Sequence, residues 1–265
     1  MPIRQAERQE LIATANALAD AARPVTLAHF RRAGLAAETK EAAHFDPVTV
    51  ADREAETVMR EILARRRPDD GILGEEFGMR AGRSGLTWVL DPIDGTRSFI
   101  SGAPTWGVLI SVADARGPLF GVIDQPFIGE RFCGGFGLAE CQGPLGPRPL
   151  ATRPTARLAE ATLFTTFPEI GTPEEAAAFA RVKARARLTR YGMDCYAYAL
   201  VALGQVDLVI ECGLKAHDIQ APIAVIEAAG GIVSDWQGRP AHAGGQVIAA
   251  ANAAIHAEAL ALLAD

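Results

Sequence analysis

The sequence predicts an α+β protein in two halves, the first built around a largely antiparallel sheet and the second forming an α/β layer. In the first half, helical periodicity at 5–32 and 50–67 precedes strand-like segments with Gly and Pro turns between them, at 71–74, 87–90, 106–113, 119–124 and 131–134. In the second half, strand-like and helix-like segments alternate, at 161–166, 173–186, 187–190, 194–204, 206–211, 218–229, 231–235, 246–250 and 252–263.

Local signals indicate where several of these elements begin and end. Thr49 followed by Asp52 is typical of a capping box and marks the start of the second helix. Arg65, Arg66 and Arg67 lie near the end of that helix, where the helix dipole favours cations. Prolines and Gly-Pro pairs interrupt regular structure over 142–157. We therefore expect an N-terminal half at 1–148 and a C-terminal half at 149–265.

Composition and charge exclude several classes of function. With 265 residues, of which 49% are hydrophobic and 22% charged, the chain can form a sizeable core. Its formal net charge of −6 argues against a nucleic acid or a membrane as partner, because both attract concentrated positive charge. No apolar run reaches the about 18 residues that a membrane-spanning helix needs. Residues 1–9 lack a signal-peptide pattern, which favours a cytoplasmic location.

The cysteines are expected to be free thiols. They show neither the paired spacing of a zinc site nor the density of a disulfide scaffold. The four residues concerned are Cys133, Cys141, Cys195 and Cys212.

The most informative segment, 88–99, brings two aspartates into one turn after an apolar run. Pro92 cannot donate a ladder hydrogen bond, so we expect the strand to end near Asp91. Gly95 permits a tight reversal, which can turn Asp91 and Asp94 toward a common centre and free the carbonyl of Ile93. Oxygen ligands of this kind suit Mg²⁺ or Mn²⁺. The alternative is a structural role in an Asx turn or a helix cap.

Carboxylates elsewhere favour the metal-binding interpretation. Glu75 and Glu76 directly follow the strand-like segment 71–74, and Asp218 opens a helix in the second half. Taken singly, the glutamates could be surface charges and Asp218 a helix N-cap. Taken together, they indicate a divalent-cation site. The segment from Asp46 to Asp52 adds further oxygen atoms, although helix capping explains it equally well.

These motifs resemble those of the inositol monophosphatase-like, metal-dependent phosphatases related to fructose-1,6-bisphosphatase. The resemblance extends from the Asp46 segment to about Asn252 and includes the Trp-x-x-Asp-Pro-Ile-Asp-Gly-Thr-x-x-Phe motif at 88–99. It implies a layered αβαβα sandwich that hydrolyses a phosphate monoester, with two or three Mg²⁺ ions per active site and Mn²⁺ as a substitute. It also implies a homodimer. The N-terminal half would supply most metal ligands, and the C-terminal half Asp218 and the substrate-recognition residues.

The resemblance also implies roles for individual residues. Glu75, Asp91 and the carbonyl of Ile93 would hold one metal ion. Asp91, Asp94 and Asp218 would hold a second. Thr96, assisted by Asp46 and Glu75, would position the attacking water, and the amides of Gly95 and Thr96 would receive a phosphate oxygen. The residues expected to contact the substrate are Asp94, Gly95, Thr96, Asp194, Glu211 and Asp218.

Within the family, the chain looks like the histidinol-phosphatase branch. Residues 190–198 are similar to that branch's Arg-Tyr-Gly-Gly-Asp-Cys-Tyr-Ala-Tyr, and His217 stands where a Trp is common in the family. The resemblance thus implies L-histidinol phosphate, a phosphorylated amino alcohol of histidine biosynthesis, as substrate. Its ammonium and imidazole need acidic partners outside the metal site, for which Asp194 and Glu211 are candidates.

Several alternatives stay open at this point. Asp194 could instead cap a helix, and His217 could contact the substrate or pack against the metal site. The same chemistry could act on inositol phosphate, a sugar phosphate or a 3′-phosphonucleotide, because Glu211 could equally accept polyol hydroxyl groups. A non-catalytic regulator that kept the fold is the alternative of another class, and the intact acidic residues count against it.

Overall fold

The computed structural model describes residues 3–32, 38–39 and 47–264. The helices are α1 (Gln5–His29), α2 (Val50–Arg66), α3 (Thr96–Ser101), α4 (Pro173–Lys183), α5 (Asp194–Ala202), α6 (Ala216–Ala228) and α7 (Ala253–Ala264), with a 3-10 turn at Leu158–Glu160. The strands of the first half are β1 (Glu38–Thr39), β2 (Pro47–Val48), β3 (Gly71–Gly74), β4 (Gly78–Arg80), β5 (Thr87–Asp94), β6 (Gly107–Asp114), β7 (Gly117–Gln125), β8 (Glu130–Gly135), β9 (Leu138–Gln142) and β10 (Arg148–Pro149). Those of the second half are β11 (Thr162–Thr165), β12 (Leu188–Tyr191), β13 (Leu208–Lys215), β14 (Ile232–Ser234) and β15 (Gly244–Ala250).

An eight-stranded sheet dominates the first half, in the order β10-β9-β8-β7-β6-β5-β3-β4. All its neighbouring strands are antiparallel except β3 and β5, which run parallel. The predicted antiparallel character is therefore confirmed. The sequence prediction missed the short elements β4, β9, β10 and α3, whose few residues give little periodicity to detect.

A five-stranded mixed sheet forms the second half, in the order β12-β11-β13-β15-β14. Strand β11 pairs in parallel with β12 and β13, whereas β15 is antiparallel to β13 and β14. A separate two-stranded pair, β1 and β2, precedes helix α2. The alternation of strands and helices predicted for this half is confirmed.

The two sheets and the helices stack as alternating layers. Along β6 of the first sheet, Val108 and Ile110 pack with α1 and α2, while Leu109 between them packs with α5 and α6 on the opposite face. Along β13 of the second sheet, Val209 faces that same middle layer, and Leu208 and Ile210 pack with α4 and α7. Because side chains alternate across a strand, each sheet is covered on both faces. The αβαβα sandwich implied by the resemblance is thus confirmed.

Strand β5 runs further than the sequence predicts. The expected end near Asp91 is wrong, since the strand continues through Pro92 to Asp94. Its register against β6 shifts between Asp91 and Asp94. A bulge of this kind accommodates a proline because the bulged residues need no ladder partner. The extension places both aspartates on one strand.

Other predicted boundaries agree to within a few residues. The capping box of Thr49 and Asp52 is confirmed at the start of α2, where the Thr49 amide donates to Asp52 Oδ2 at 2.8 Å. The four cysteines are free thiols, as expected. Among the described residues, no helix is long and apolar enough to cross a membrane. The division of the chain into halves at 148/149 stays a prediction.

Candidate active site

A cleft of about 290 Å³ opens where the end of β5 meets the starts of α5 and α6. Six carboxylates line it, together with the basic side chains of Arg97, Lys215 and His217. The carboxylates are those of Glu75, Asp91, Asp94, Asp194, Glu211 and Asp218. The structure therefore brings together all the acidic site residues that the sequence predicts among 47–264. Asp46, the remaining predicted catalytic residue, lies outside the described residues.

The β5–α3 turn holds its own groups in place. The amide of Ile93 donates to Asp91 Oδ1 at 3.0 Å, across the bulge made by Pro92. The hydroxyl of Thr96 donates to the Ile93 carbonyl oxygen at 3.1 Å. Gly95 adopts φ +83°, a left-handed conformation that favours glycine. The structural alternative for Asp91 is thus half right, because it makes an Asx-type turn within an acidic cluster.

Glu75 lies in the turn after β3. The buried carboxylate of Glu56, on α2, stabilises this turn through hydrogen bonds. Glu56 accepts hydrogen bonds from the amides of Glu76, at 2.7 Å, and Phe77, at 3.2 Å. The amide of Glu75 itself donates to the carbonyl of Leu90, at 3.1 Å, on the neighbouring strand β5. Glu75 is therefore tied to the strand that carries Asp91.

Asp218 comes from the first turn of α6 rather than from its cap. The helix begins at Ala216, two residues earlier than predicted, so the N-cap alternative for Asp218 is wrong. Its Oδ2 accepts a hydrogen bond from the amide of Lys215 at 2.6 Å, the reach-back half of a capping box. Its Oδ1 lies 3.3 Å from Nε2 of His217.

Two overlapping groups of ligand atoms meet in the cleft. One carboxylate oxygen from each of Asp91, Asp94 and Asp218 lies within 4.8 Å of the others. One oxygen each of Glu75 and Asp91 and a ring nitrogen of His217 form a second group within the same distance. Burial and the neighbouring carboxylates raise the pKa of Asp91 and of Asp94 well above their usual range. A hard divalent cation relieves such repulsion, and carboxylate oxygens are the donors that Mg²⁺ prefers. The donor set therefore fits Mg²⁺.

Asp194 is the first residue of α5 and does not cap that helix. Met193 is the N-cap residue and has no side-chain cap bond, so the capping alternative for Asp194 is wrong. Its backbone is left-handed, at φ +44°. Its Oδ2 accepts hydrogen bonds from the hydroxyls of Ser98 and Thr105, each at 2.6 Å.

Glu211 lies within β13, not at its end as predicted, because the strand continues to Lys215 past a register shift. Its Oε1 accepts a hydrogen bond from the amide of Thr166 at 2.6 Å, and its Oε2 one from the hydroxyl of Thr165 at 3.2 Å. Burial raises the pKa of Glu211 to about 7, even though these hydrogen bonds favour the charged form. A cation bound beside this carboxyl would therefore favour its charged form and lower its pKa.

Several groups of the site have no signal in the sequence. The amide of Cys195 donates to Asp94 Oδ2 at 2.7 Å, which joins α5 to the β5 turn. Phe167 lines the cleft beside Arg97, whose guanidinium lies 5.0 Å from the centre of its ring. The ring nitrogen of His217 joins the acidic cluster. This last contact agrees with the packing of His217 against the metal site, one of the two alternatives that the sequence left open.

The model of the inositol monophosphatase family matches residues 7–265. The chain belongs to the inositol monophosphatase family. Its fold agrees, since an inositol monophosphatase from Zymomonas mobilis superposes with a TM-score of 0.86 at 39% identity, over 99% of this chain and 100% of that one. As a member, the chain is a metal-dependent phosphomonoesterase, with the acidic metal-binding cluster typical of the family.

Two curated relatives bear different names within this family. The bifunctional phosphatase IMPL2 of Arabidopsis thaliana, a chloroplastic protein, is 42% identical over 235 residues, which are 88% of this chain. The match spans 66% of the plant protein, just under two thirds of its length. A histidinol-phosphatase of Chlorobaculum parvum is 34% identical over 240 residues, 90% of each chain.

Proposed function

We propose that this protein hydrolyses L-histidinol phosphate to L-histidinol and phosphate, with Mg²⁺ as cofactor, in histidine biosynthesis. The observation that carries the proposal is the position of two carboxylates, Asp194 and Glu211. They line the same cleft as the metal cluster, but neither belongs to its two groups of converging ligand atoms. They are therefore free to meet the ammonium and imidazole of a cationic alcohol.

The arrangement of the acidic cluster indicates which residues would hold each metal ion. Asp91, Asp94 and Asp218 would hold one Mg²⁺, and Glu75 and Asp91 another. The Ile93 carbonyl, which the resemblance implies as a further ligand of that second ion, lines the same cleft, whereas the third convergent atom beside Glu75 and Asp91 is the ring nitrogen of His217. The bound ions supply the positive charge that a phosphate ester needs at its attacking and leaving oxygens. Two or three such ions, or Mn²⁺ in their place, suit this donor set.

The chain's own groups would orient the water and the phosphate. The Thr96 hydroxyl donates to the Ile93 carbonyl, so its oxygen can still accept a hydrogen bond from a water molecule. Glu75, together with Asp46, would complete the positioning of that water. The amides of Gly95 and Thr96 stand at the start of α3, where N–H groups have no intrahelical acceptor, and would donate to a phosphate oxygen.

Two groups that line the cleft outside the metal cluster, Glu211 and Tyr198, favour an amino alcohol phosphate as substrate. The pKa of Glu211 is raised because the carboxyl is buried, and an ammonium group beside it would favour its charged form. The hydroxyl of Tyr198, which lines the cleft, is buried and has no hydrogen-bond partner among the described residues. A polar ligand would satisfy it.

The relatives support two substrates. The histidinol-phosphatase of Chlorobaculum parvum aligns over nearly its full length, which agrees with the proposed substrate. The Zymomonas mobilis structure favours the second candidate, hydrolysis of an inositol monophosphate. In that case Glu211 would accept polyol hydroxyl groups. A cytoplasmic homodimer, acting on a small phosphorylated molecule, is part of the same proposal.

A phosphate-release assay with Mg²⁺ tests the proposal. The panel is L-histidinol phosphate, inositol 1-phosphate, fructose 1,6-bisphosphate and 3′-phosphoadenosine 5′-phosphate. We expect histidinol phosphate to give the highest kcat/KM. A preference for inositol 1-phosphate would establish the second candidate instead, and no Mg²⁺-dependent release from any of them would favour a non-catalytic regulator.

A further inference from the structure

The substrate-facing carboxylate Asp194 is held by two hydroxyl groups from the other half of the chain. Ser98, on α3, and Thr105, in the turn before β6, each donate to Asp194 Oδ2 at 2.6 Å. We propose that Ser98 and Thr105 are positioning residues that orient Asp194 toward an ammonium-bearing phosphate ester and so set substrate preference. This inference rests on the proposed function.

The backbone of Asp194 needs such support. At φ +44° it is in the left-handed region, which is unfavourable for a residue with a side chain. A strained conformation of this kind persists only where its surroundings hold it. The two hydroxyl groups bind Oδ2, and Gly95 lies alongside the side chain, since a Cβ there would be 2.8 Å from both Cβ and Cγ of Asp194 and 3.1 Å from its Oδ2. The absence of a side chain at Gly95 is thus part of the same arrangement.

The hydroxyl pair leaves part of Asp194 available to a ligand. Both hydrogen bonds go to Oδ2, and no described residue donates to Oδ1. Asp194 lines the cleft together with Glu211, the other carboxylate outside the metal cluster. A cation bound between these two side chains would find one oxygen fixed and the other open.

The orientation of Asp194 also reaches the metal cluster. The next residue, Cys195, donates its amide to Asp94 Oδ2 at 2.7 Å. The ψ angle of Asp194 sets the direction of the Cys195 N–H group. A change of backbone conformation at Asp194 would therefore move this donor. Loss of the hydroxyl groups should therefore affect substrate binding first, and turnover only if the backbone relaxes.

Ser98 and Thr105 have no other side-chain hydrogen bond among the described residues, so their hydroxyl groups can be removed with few side effects. Ser98→Ala deletes one donor, and Thr105→Val replaces the other by a methyl group of similar shape. Thr105→Ser retains the donor and serves as the rescue variant. Ser101→Ala is the matched control, because Ser101 lies on the same helix but donates to the Arg97 carbonyl at the exposed surface.

The test is the Michaelis constant of each variant for L-histidinol phosphate and for inositol 1-phosphate. For Ser98→Ala and Thr105→Val we expect KM for histidinol phosphate to rise about tenfold each, the range for a hydrogen bond to a charged group. We expect kcat, and KM for inositol 1-phosphate, to change less than about twofold. Thr105→Ser and Ser101→Ala should keep the wild-type values.

Each outcome decides a separate question. Equal losses for both substrates, or no loss for either, would overturn the positioning role while leaving the proposed function intact. If the wild-type protein itself prefers inositol 1-phosphate, the proposed function fails. The positioning role is then judged by a crystal structure of Ser98→Ala/Thr105→Val, and an unmoved, left-handed Asp194 would overturn it. If the double variant does not fold, the structure of Ser98→Ala answers the same question.

Discussion

At the scale of single residues, buried carboxylates dominate the site. Asp91 is 2% exposed, and its repulsion by Glu75 and Asp94 adds to the effect of burial on its pKa. Such a cluster is unfavourable for folding unless a cation is bound. The sequence predicted Glu75, Asp91 and Asp94 because these carboxylates follow short apolar, strand-like runs, although Asp91 lies within β5 rather than at its end. It could not predict the Ser98 and Thr105 contacts with Asp194, which join positions 96 and 89 residues apart.

Asp94→Asn tests the cluster directly. The variant keeps the shape of the side chain and an oxygen for the Cys195 amide, but it removes one charge from the proposed metal ligands. We expect kcat with Mg²⁺ to fall at least about hundredfold, a loss of about 2.7 kcal/mol in transition-state stabilisation. Phosphate release measures it. Without metal the variant should be at least as stable as the wild type, because repulsion falls; turnover at the wild-type rate would refute the metal role of Asp94.

Glu211→Gln should change stability in a pH-dependent way. Burial raises the pKa of Glu211 from 4.5 to about 7, so the folded protein favours the neutral form. Wild-type stability is therefore unaffected below pH 4.5 and is progressively lost as the pH rises from 4.5 to 7, by up to about 3 kcal/mol. The amide of the variant has no charge to bury. The free energy of unfolding of the variant should therefore rise relative to that of the wild type between pH 4.5 and pH 8. Urea unfolding with EDTA at both pH values measures this, and an equal difference at the two would contradict it.

At the scale of elements, the ends of strands and helices place the chemistry. Strand β5 delivers Asp91 and Asp94 through a bulge at Pro92, and α6 delivers Asp218 in its first turn. The sequence predicted that these elements exist but misplaced their ends, because a bulge and a helix start depend on contacts with other strands. Helix α6 can approach the first sheet closely only where that sheet has no side chains. Gly134 on β8 is such a place.

Gly134→Ala should displace α6. A Cβ at this position would lie 2.4 Å from the Cα of Val225 and 2.7 Å from the carbonyl oxygen of Ala224, both backbone atoms of the helix. We expect a loss of roughly 1–3 kcal/mol in unfolding free energy, together with lower activity because α6 carries Asp218. Chemical denaturation and phosphate release measure the two effects.

Gly137→Ala is the control for that experiment. At Gly137 the φ is +86°, but a Cβ would meet nothing within 4 Å. This variant should lose about 1–2 kcal/mol from its backbone conformation alone and retain wild-type activity. Equal activity of both variants would show that α6 does not transmit the disturbance to the site.

At the scale of the whole molecule, the acidic cluster joins the first sheet to the layer of helices between the two sheets. Asp91 and Asp94 belong to the first sheet, whereas Asp218 extends from the helix that packs between the sheets. The sequence predicted a largely antiparallel sheet in the first half and alternating strands and helices in the second. The resemblance implied that these parts stack as layers, and the packing on both faces of β6 and β13 confirms it. How the layers place Glu211 beside Thr166, a contact across 45 residues, depends on the packed fold.

Mg²⁺ should therefore stabilise the folded protein. A ligand that binds only the native state at a hundred times its Kd adds about 2.7 kcal/mol, or a rise in Tm of roughly 5–11 °C for a domain of this size. Thermal unfolding with Mg²⁺ and with EDTA measures the rise. Asp218→Asn should reduce it, and Ser101→Ala should not. An equal Tm with and without Mg²⁺ would contradict a cluster that binds the ion in the resting enzyme.

A competition experiment tests the central claim, that the acidic wall formed by Asp194 and Glu211 selects an amino-alcohol phosphate. When L-histidinol phosphate and inositol 1-phosphate are present in one mixture with Mg²⁺, the ratio of their initial rates of consumption, at equal concentrations, equals the ratio of their kcat/KM values. Phosphorus NMR follows both esters at once. We predict that histidinol phosphate is consumed at least about a hundredfold faster, which corresponds to about 2.7 kcal/mol of discrimination. Equal consumption, or faster loss of inositol 1-phosphate, would contradict the account.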